Sequence, residues 1–234
     1  MARKASYTRA GIAEAAIRIA DREGLEALTM RRLAAELGAG TMTLYHYVRT
    51  KDDLLALVTD ALMGDVIVPD GELNEGWRPA MTAIARRTRD VFVRHPWAAE
   101  VPKDVEDGPN AILHFEQSLA AMRQTGLDYP DCLELIVLVD EYVFGYIERF
   151  NAVQQHLEGN AAAIAAHHSD ELVERLSKLD PERFPNLHGM FAAEDPRAAI
   201  ERLLALALDP GRFERGLAVL LDGIERRVAA TVEP

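Results

Sequence analysis

At 234 residues, with 49% hydrophobic and 27% charged residues, the chain is long enough for a small domain joined to a larger one and too apolar for a disordered segment. A single cysteine, Cys132, excludes an internal disulfide framework and points to a reducing cytoplasm; no apolar run reaches membrane-spanning length, and none that would serve as a signal core follows Met1 to Lys4. The net charge of −12 argues against nucleic acid until its distribution is read: residues 1–51 hold nine Lys or Arg against five Asp or Glu, whereas residues 52–234 hold 17 against 33.

A basic head on an acidic body favours a limited, oriented contact with phosphate over general coating of DNA. Few aromatics and abundant Ala and Leu favour helix over sheet. The spacing of Ile12, Ala15, Ala16, Ile19 and Ala20 predicts a helix over 8–23, stopped by Gly24. A second is expected over 30–37, capped by Thr29 and broken by Gly38. A third is expected over 42–47 with Thr41 as its cap. The fourth starts at Lys51, with Thr50 as cap and Asp52 and Asp53 in its positive first turn, and is expected to end near Gly64. The stretch Gly64 to Gly76, with Pro69, Asp70 and Gly71, reads as a linker. Long helices follow over 77–94, 109–125, 130–156 and 212–230, with shorter ones near 160–179 and 196–208.

The segment from Leu28 to Val48 has the mechanics of a helix-turn-helix. Leu33 and Leu37 share one face of its first helix, and Leu44 and Val48 are placed to pack on them from the second. Ala34 is small where two crossing helices approach, and Gly38 supplies the left-handed conformation of a tight turn. The second helix then presents Thr41, Met42, Thr43, Tyr45 and His46, groups suited to base edges and phosphates.

These residues resemble the DNA-binding domain of the tetracycline-repressor family. The likeness runs over residues 8–62, through Asp21-Arg22-Glu23-Gly24, Leu28 to Ala34, Leu44 to Val48 and Lys51 to Leu55. A weaker likeness to that family's ligand domain lies in Val93 to Trp97, Phe213 to Leu217 and Leu221 to Ile224. The resemblance implies an all-α homodimer: a three-helix DNA-binding domain over 1–63 and a larger helical ligand-binding and dimerisation domain over 64–234. It implies repression at a palindromic double-stranded operator, with release by a small effector. Thr29 and Arg31 sit where the first motif helix meets DNA, Thr41, Met42 and Thr43 where bases are read, Tyr45 and His46 beside the backbone, and Lys51 where the family binds phosphate.

For the effector, Phe92, Trp97, His114, Phe115, Tyr142, Tyr146 and Phe150 are the candidate lining, which suits an apolar, planar compound, neutral or cationic beside Asp140 and Glu141. No histidine lies between His95 and His114, where the tetracycline repressor uses one for a magnesium chelate, so that ligand is not expected. Helix 130–150 carries two apolar stripes, Leu135–Leu138–Tyr142–Gly145 and Ile136–Val139–Val143–Ile147, one for the subunit core and one for a partner. Gly216, Leu220 and Gly223 would let the last helix approach that partner closely. His167, His168, Asp170 and Glu171 read as a solvated face rather than a metal site, and no cofactor motif is found. A helix-turn-helix protein without an effector and an all-helical enzyme stay open as alternatives.

Overall fold

The computed structural model describes residues 7–102, 104–158, 171, 173–175, 178–192, 195–209 and 211–232. Every regular element among the described residues is helical. The chain divides into two compact units, Met1–Phe144 with Leu221–Pro234, and Gly145–Leu220.

In the first unit, α1 spans Arg9–Glu23, with the Thr8 hydroxyl accepting the Gly11 N–H, and Gly24 at φ 83° ends it. A 3₁₀ turn, Leu25–Ala27, leads to α2, Met30–Leu37, whose cap is Thr29 as expected and whose end is Gly38 in the left-handed conformation at φ 62°. The next helix, α3, spans only Thr41–Leu44. Thr41 is therefore its first residue and not its cap; Gly40 holds the cap position without a side-chain bond. Past Leu44 the chain tightens into i→i+3 bonds, His46 N–H to Thr43 and Tyr47 N–H to Leu44, which is why the regular helix stops short of Tyr47.

Helix α4, Lys51–Val66, opens with a full capping box between Thr50 and Asp53. It runs through Gly64, where the sequence suggested a stop. Leu62 and Val66 are buried on either side of the expected stop, and burial of Val66 beyond it outweighs a helical glycine's cost of about 1 kcal/mol. The expected linker is also structured: it holds α5, Asp70–Leu73, and its Val68 backbone is gripped on both sides by the buried Gln117 side chain, at 2.9 and 2.8 Å. Satisfied backbone groups at a buried position fix what composition alone marks as loop. Then come α6, Trp77–Arg94, a 3₁₀ turn over Pro96–Glu100, α7, Pro109–Arg123, and the start of α8, Tyr129–Glu158.

One hydrophobic core joins Ile12, Ile19, Leu28, Leu33, Leu44, Val48, Leu54, Val58 and Leu62 to Val91, Trp97 and Ala98. The end of α6 thus belongs to the same core as the helix-turn-helix. Of the two stripes on α8, Ile136, Val139, Val143 and Ile147 are all buried; in the other, Leu135 is buried, Tyr142 half-buried, and Leu138 and Gly145 exposed.

The second unit holds the end of α8, α9 over Pro185–Ala192, which the sequence reading did not anticipate, and α10, Pro196–Leu208, capped by Asp195. It also holds the first half of α11, Arg212–Val232. The Tyr146 ring stacks on Phe150 at 5.9 Å and meets the buried Phe213 edge-on at 5.0 Å. Most of the helix expected near 160–179, with His167, His168 and Asp170, lies outside the described residues.

Candidate nucleic-acid interface

The helix-turn-helix is held from behind. Leu33, Leu44 and Val48 are buried together, as the sequence spacing requires. Arg9 on α1 donates to the Tyr47 carbonyl at 3.0 Å, and the Tyr7 hydroxyl donates to the Leu37 carbonyl. Each closes a carbonyl that the end of a helix or turn leaves open. The sequence reading missed both, because the partners lie 38 and 30 residues apart.

Charge is sorted on this surface. Arg32 bonds both Glu23 and Glu36, and Arg22 bonds Glu36, so α1 and α2 are laced by a four-membered ionic network. The Arg32 bond holds the Glu23 carboxyl below its usual range; bonds from Arg22 and then Arg32 do the same for Glu36. The same pairing raises Arg32 further into its charged form. These arginines are thereby committed within the protein. Arg31, Arg49 and Lys51 are exposed and make no ion pair among the described residues. Their positive charge is therefore open to solvent. Arg49 was not singled out from sequence, although it lies two residues before Lys51 in a basic stretch.

Most of the other candidates lie on α3 and the turn that follows it, and Thr29 caps α2. Met42 is 77% and Tyr45 41% exposed, and Thr29, Thr43 and His46 are exposed too; Thr41 is half-buried. The Thr29 hydroxyl oxygen accepts the Arg32 N–H at 3.1 Å, leaving its proton free to donate outward. An exposed methionine flanked by threonines at a short helix's start has little to gain in water. It suits van der Waals contact with base edges.

The effector candidates are dispersed. Trp97 lies in the head core with its indole N–H on Asp21 at 2.7 Å. In the first unit Phe92 meets Phe144 edge-on at 5.2 Å, His114 Nε2 lies 3.3 Å from Thr88 Oγ1, Tyr142 is half-buried and Phe115 is exposed. Tyr146 and Phe150 fall in the second unit. Burial lowers the His114 pKa, favouring a neutral ring, and pushes the Asp140 carboxyl up to about 6. Cys132 is buried, which raises its thiol pKa, as for an inert core cysteine.

Two family descriptions match this chain. Residues 12–58 match the bacterial regulatory proteins of the tetR family, and residues 69–228 match the tetracyclin repressor-like C-terminal domain. The chain belongs to the TetR family. This TetR-family regulator is 37% identical over 228 residues to the HTH-type transcriptional repressor DrrR1 of Streptomyces coeruleorubidus, covering 97% of this chain and 80% of that protein. It is 36% identical over 167 residues to an HTH-type transcriptional regulator of Saccharopolyspora erythraea, covering 70% of each. Among solved structures it is similar to apo ActR of Streptomyces coelicolor, with a TM-score of 0.71 and 29% identity, covering 98% of this chain and 100% of ActR. ActR in complex with actinorhodin gives a TM-score of 0.69. The all-α architecture expected from sequence, with an N-terminal helix-turn-helix and a larger helical C-terminal part, is the TetR fold.

Proposed function

We propose that this TetR-family regulator represses transcription as a cytoplasmic homodimer on a palindromic operator and is released by a small effector. The observation that carries the reading is the sorting of the basic residues. Arg22 and Arg32 are neutralised inside the head, while Arg31, Arg49 and Lys51 are left for phosphate beside exposed Met42, Thr43 and Tyr45. Likeness to the repressor DrrR1 supports the direction of regulation.

Dimerisation is supported by apolar side chains left in water on α8: Leu133, Val137, 53% exposed, and Leu138. A second copy would cover them. ActR in complex with actinorhodin supports an effector site in the C-terminal part. A neutral His114 beside Thr88 offers hydrogen bonds in an apolar setting, and half-buried Asp140 favours a neutral or cationic guest over an anion.

Selection of duplexes from a random DNA pool tests the reading. Enrichment of a palindrome with half-sites about 34–36 Å apart is expected. A pool that stays random, or a protein sedimenting as a 25.9 kDa monomer at micromolar concentration, would overturn it.

A further inference from the structure

The last turn of α1 faces two ways. Toward α6, the Oδ1 oxygen of Asp21 lies 2.7 Å from Nδ1 of His95 and accepts the indole N–H of Trp97 at 2.7 Å. His95 caps the C-terminus of α6 through its own N–H on the Val91 carbonyl, and Pro96 stiffens the step to Trp97. Both rings are buried, Trp97 in the head core with Val91 and Ala98. Toward α2, the next two residues, Arg22 and Glu23, bond Glu36 and Arg32 at 2.9 and 2.6 Å. Three consecutive side chains therefore tie the end of an 18-residue helix of the C-terminal family region to the helix-turn-helix.

We propose that Asp21 is a positioning residue for DNA reading. It takes the position of α6 from His95 and Trp97, and Arg22 and Glu23 hand that position to α2. This rests on the DNA-binding reading above and adds the contact through which helix α6 sets the reading head. The physical reason is leverage without slack. A carboxylate oxygen shared by two buried donors has one position at which both bonds are made. A shift of the α6 end must then either carry Asp21 along or break a bond in a setting where an unmade bond is costly. Moving Asp21 moves its neighbours Arg22 and Glu23, because all three share one helical turn. The contact is short, polar and directional, unlike the surrounding aliphatic packing, which tolerates small slides.

The test uses the full-length protein and the selected palindrome. Trp97→Phe keeps the aromatic packing and removes one donor; Asp21→Asn changes the acceptor on a partly exposed side chain and perturbs the core less. Each variant should stay folded and lose about tenfold in affinity for the palindrome, a typical size for coupling between sites, with less than a twofold change for a non-palindromic duplex of equal length. A spin label at Glu14→Cys on exposed α1, with Cys132 buried and unreactive, should show a broader head-to-head distance distribution in both variants without DNA. Asp21→Asn combined with Trp97→Phe should cost no more than the worse single change, because both act through the same Asp21 oxygen. Unchanged palindrome affinity and label distances in folded Asp21→Asn would overturn the proposal, as would equal losses on both duplexes. If the wild-type protein binds no palindrome, the DNA-binding reading falls first and this one with it.

Discussion

Asp60 of α4 caps the N-terminus of α7: its Oδ1 accepts the Asn110 backbone N–H at 2.7 Å, and the Asn110 side chain donates back to the Asp60 carbonyl at 3.0 Å. A carboxylate placed against the positive end of a neighbouring helix joins the two without apolar contact. The helix that begins at the exposed Lys51 is thus pinned, nine residues on, to the C-terminal family region.

That joint has no room beside it. A Cβ built at Gly108 would overlap the Asp60 carboxyl, while the Gly108 backbone, at φ −86°, is open to any residue. Gly108→Ala should therefore destabilise through crowding alone, by about 1–3 kcal/mol. Thermal unfolding checks this. A melting temperature equal to wild type would mean that α4 and α7 part at no cost.

Thr50→Ala removes the hydroxyl that accepts the Asp53 N–H at 3.0 Å and breaks the capping box. The expected cost is about 0.5–2 kcal/mol, seen in chemical denaturation as a lower midpoint with an unchanged slope. Lys51 is the first residue of the helix so capped, and phosphate binding should weaken alongside stability.

On DNA, Lys51→Ala should weaken all duplexes alike and lower the slope of log affinity against log salt by about 1. Thr43→Ala should alter base preference at one position by about 1–3 kcal/mol, with the salt slope unchanged. Binding isotherms at several salt concentrations separate the two. A Lys51→Ala variant with the wild-type salt slope would remove that residue from the interface.

Two half-buried titratable groups, Asp140 and His114, give opposite pH signatures. Burial raises the Asp140 pKa from 3.8 to about 6, so the unfolded chain releases this proton first and stability falls as pH rises through 4–6. Asp140→Asn should stabilise at pH 7.5 by on the order of 1–3 kcal/mol and hardly at pH 4. Burial lowers the His114 pKa below 6.5, so this group favours folding at neutral pH and that contribution is lost as pH falls. His114→Gln should therefore flatten the acid side of the stability profile. Melting curves of both variants across pH 4–8 measure each effect; parallel curves for variant and wild type would show that neither group titrates differently on folding.

The sequence alone determined what is decided within about one helical turn. Thr29 and Thr50 cap the helices they precede, Gly24 and Gly38 end theirs with positive φ, and Leu33, Leu44 and Val48 meet as their spacing requires. Each is a choice between a residue and its near neighbours, and composition carries it. Tertiary structure decided the rest. Helix α4 runs through Gly64 because buried Val66 outweighs a weak local stop. Trp97, from the C-terminal family region, packs into the core of the helix-turn-helix and is bonded to a carboxylate 76 residues away, rather than presenting a free indole to an effector. Val68 is ordered by Gln117, and Asp60 caps α7, across gaps of 49 and 50 residues. A hydrogen bond depends on ångström-scale placement of both partners, and two segments distant in sequence reach that placement only after the core has packed.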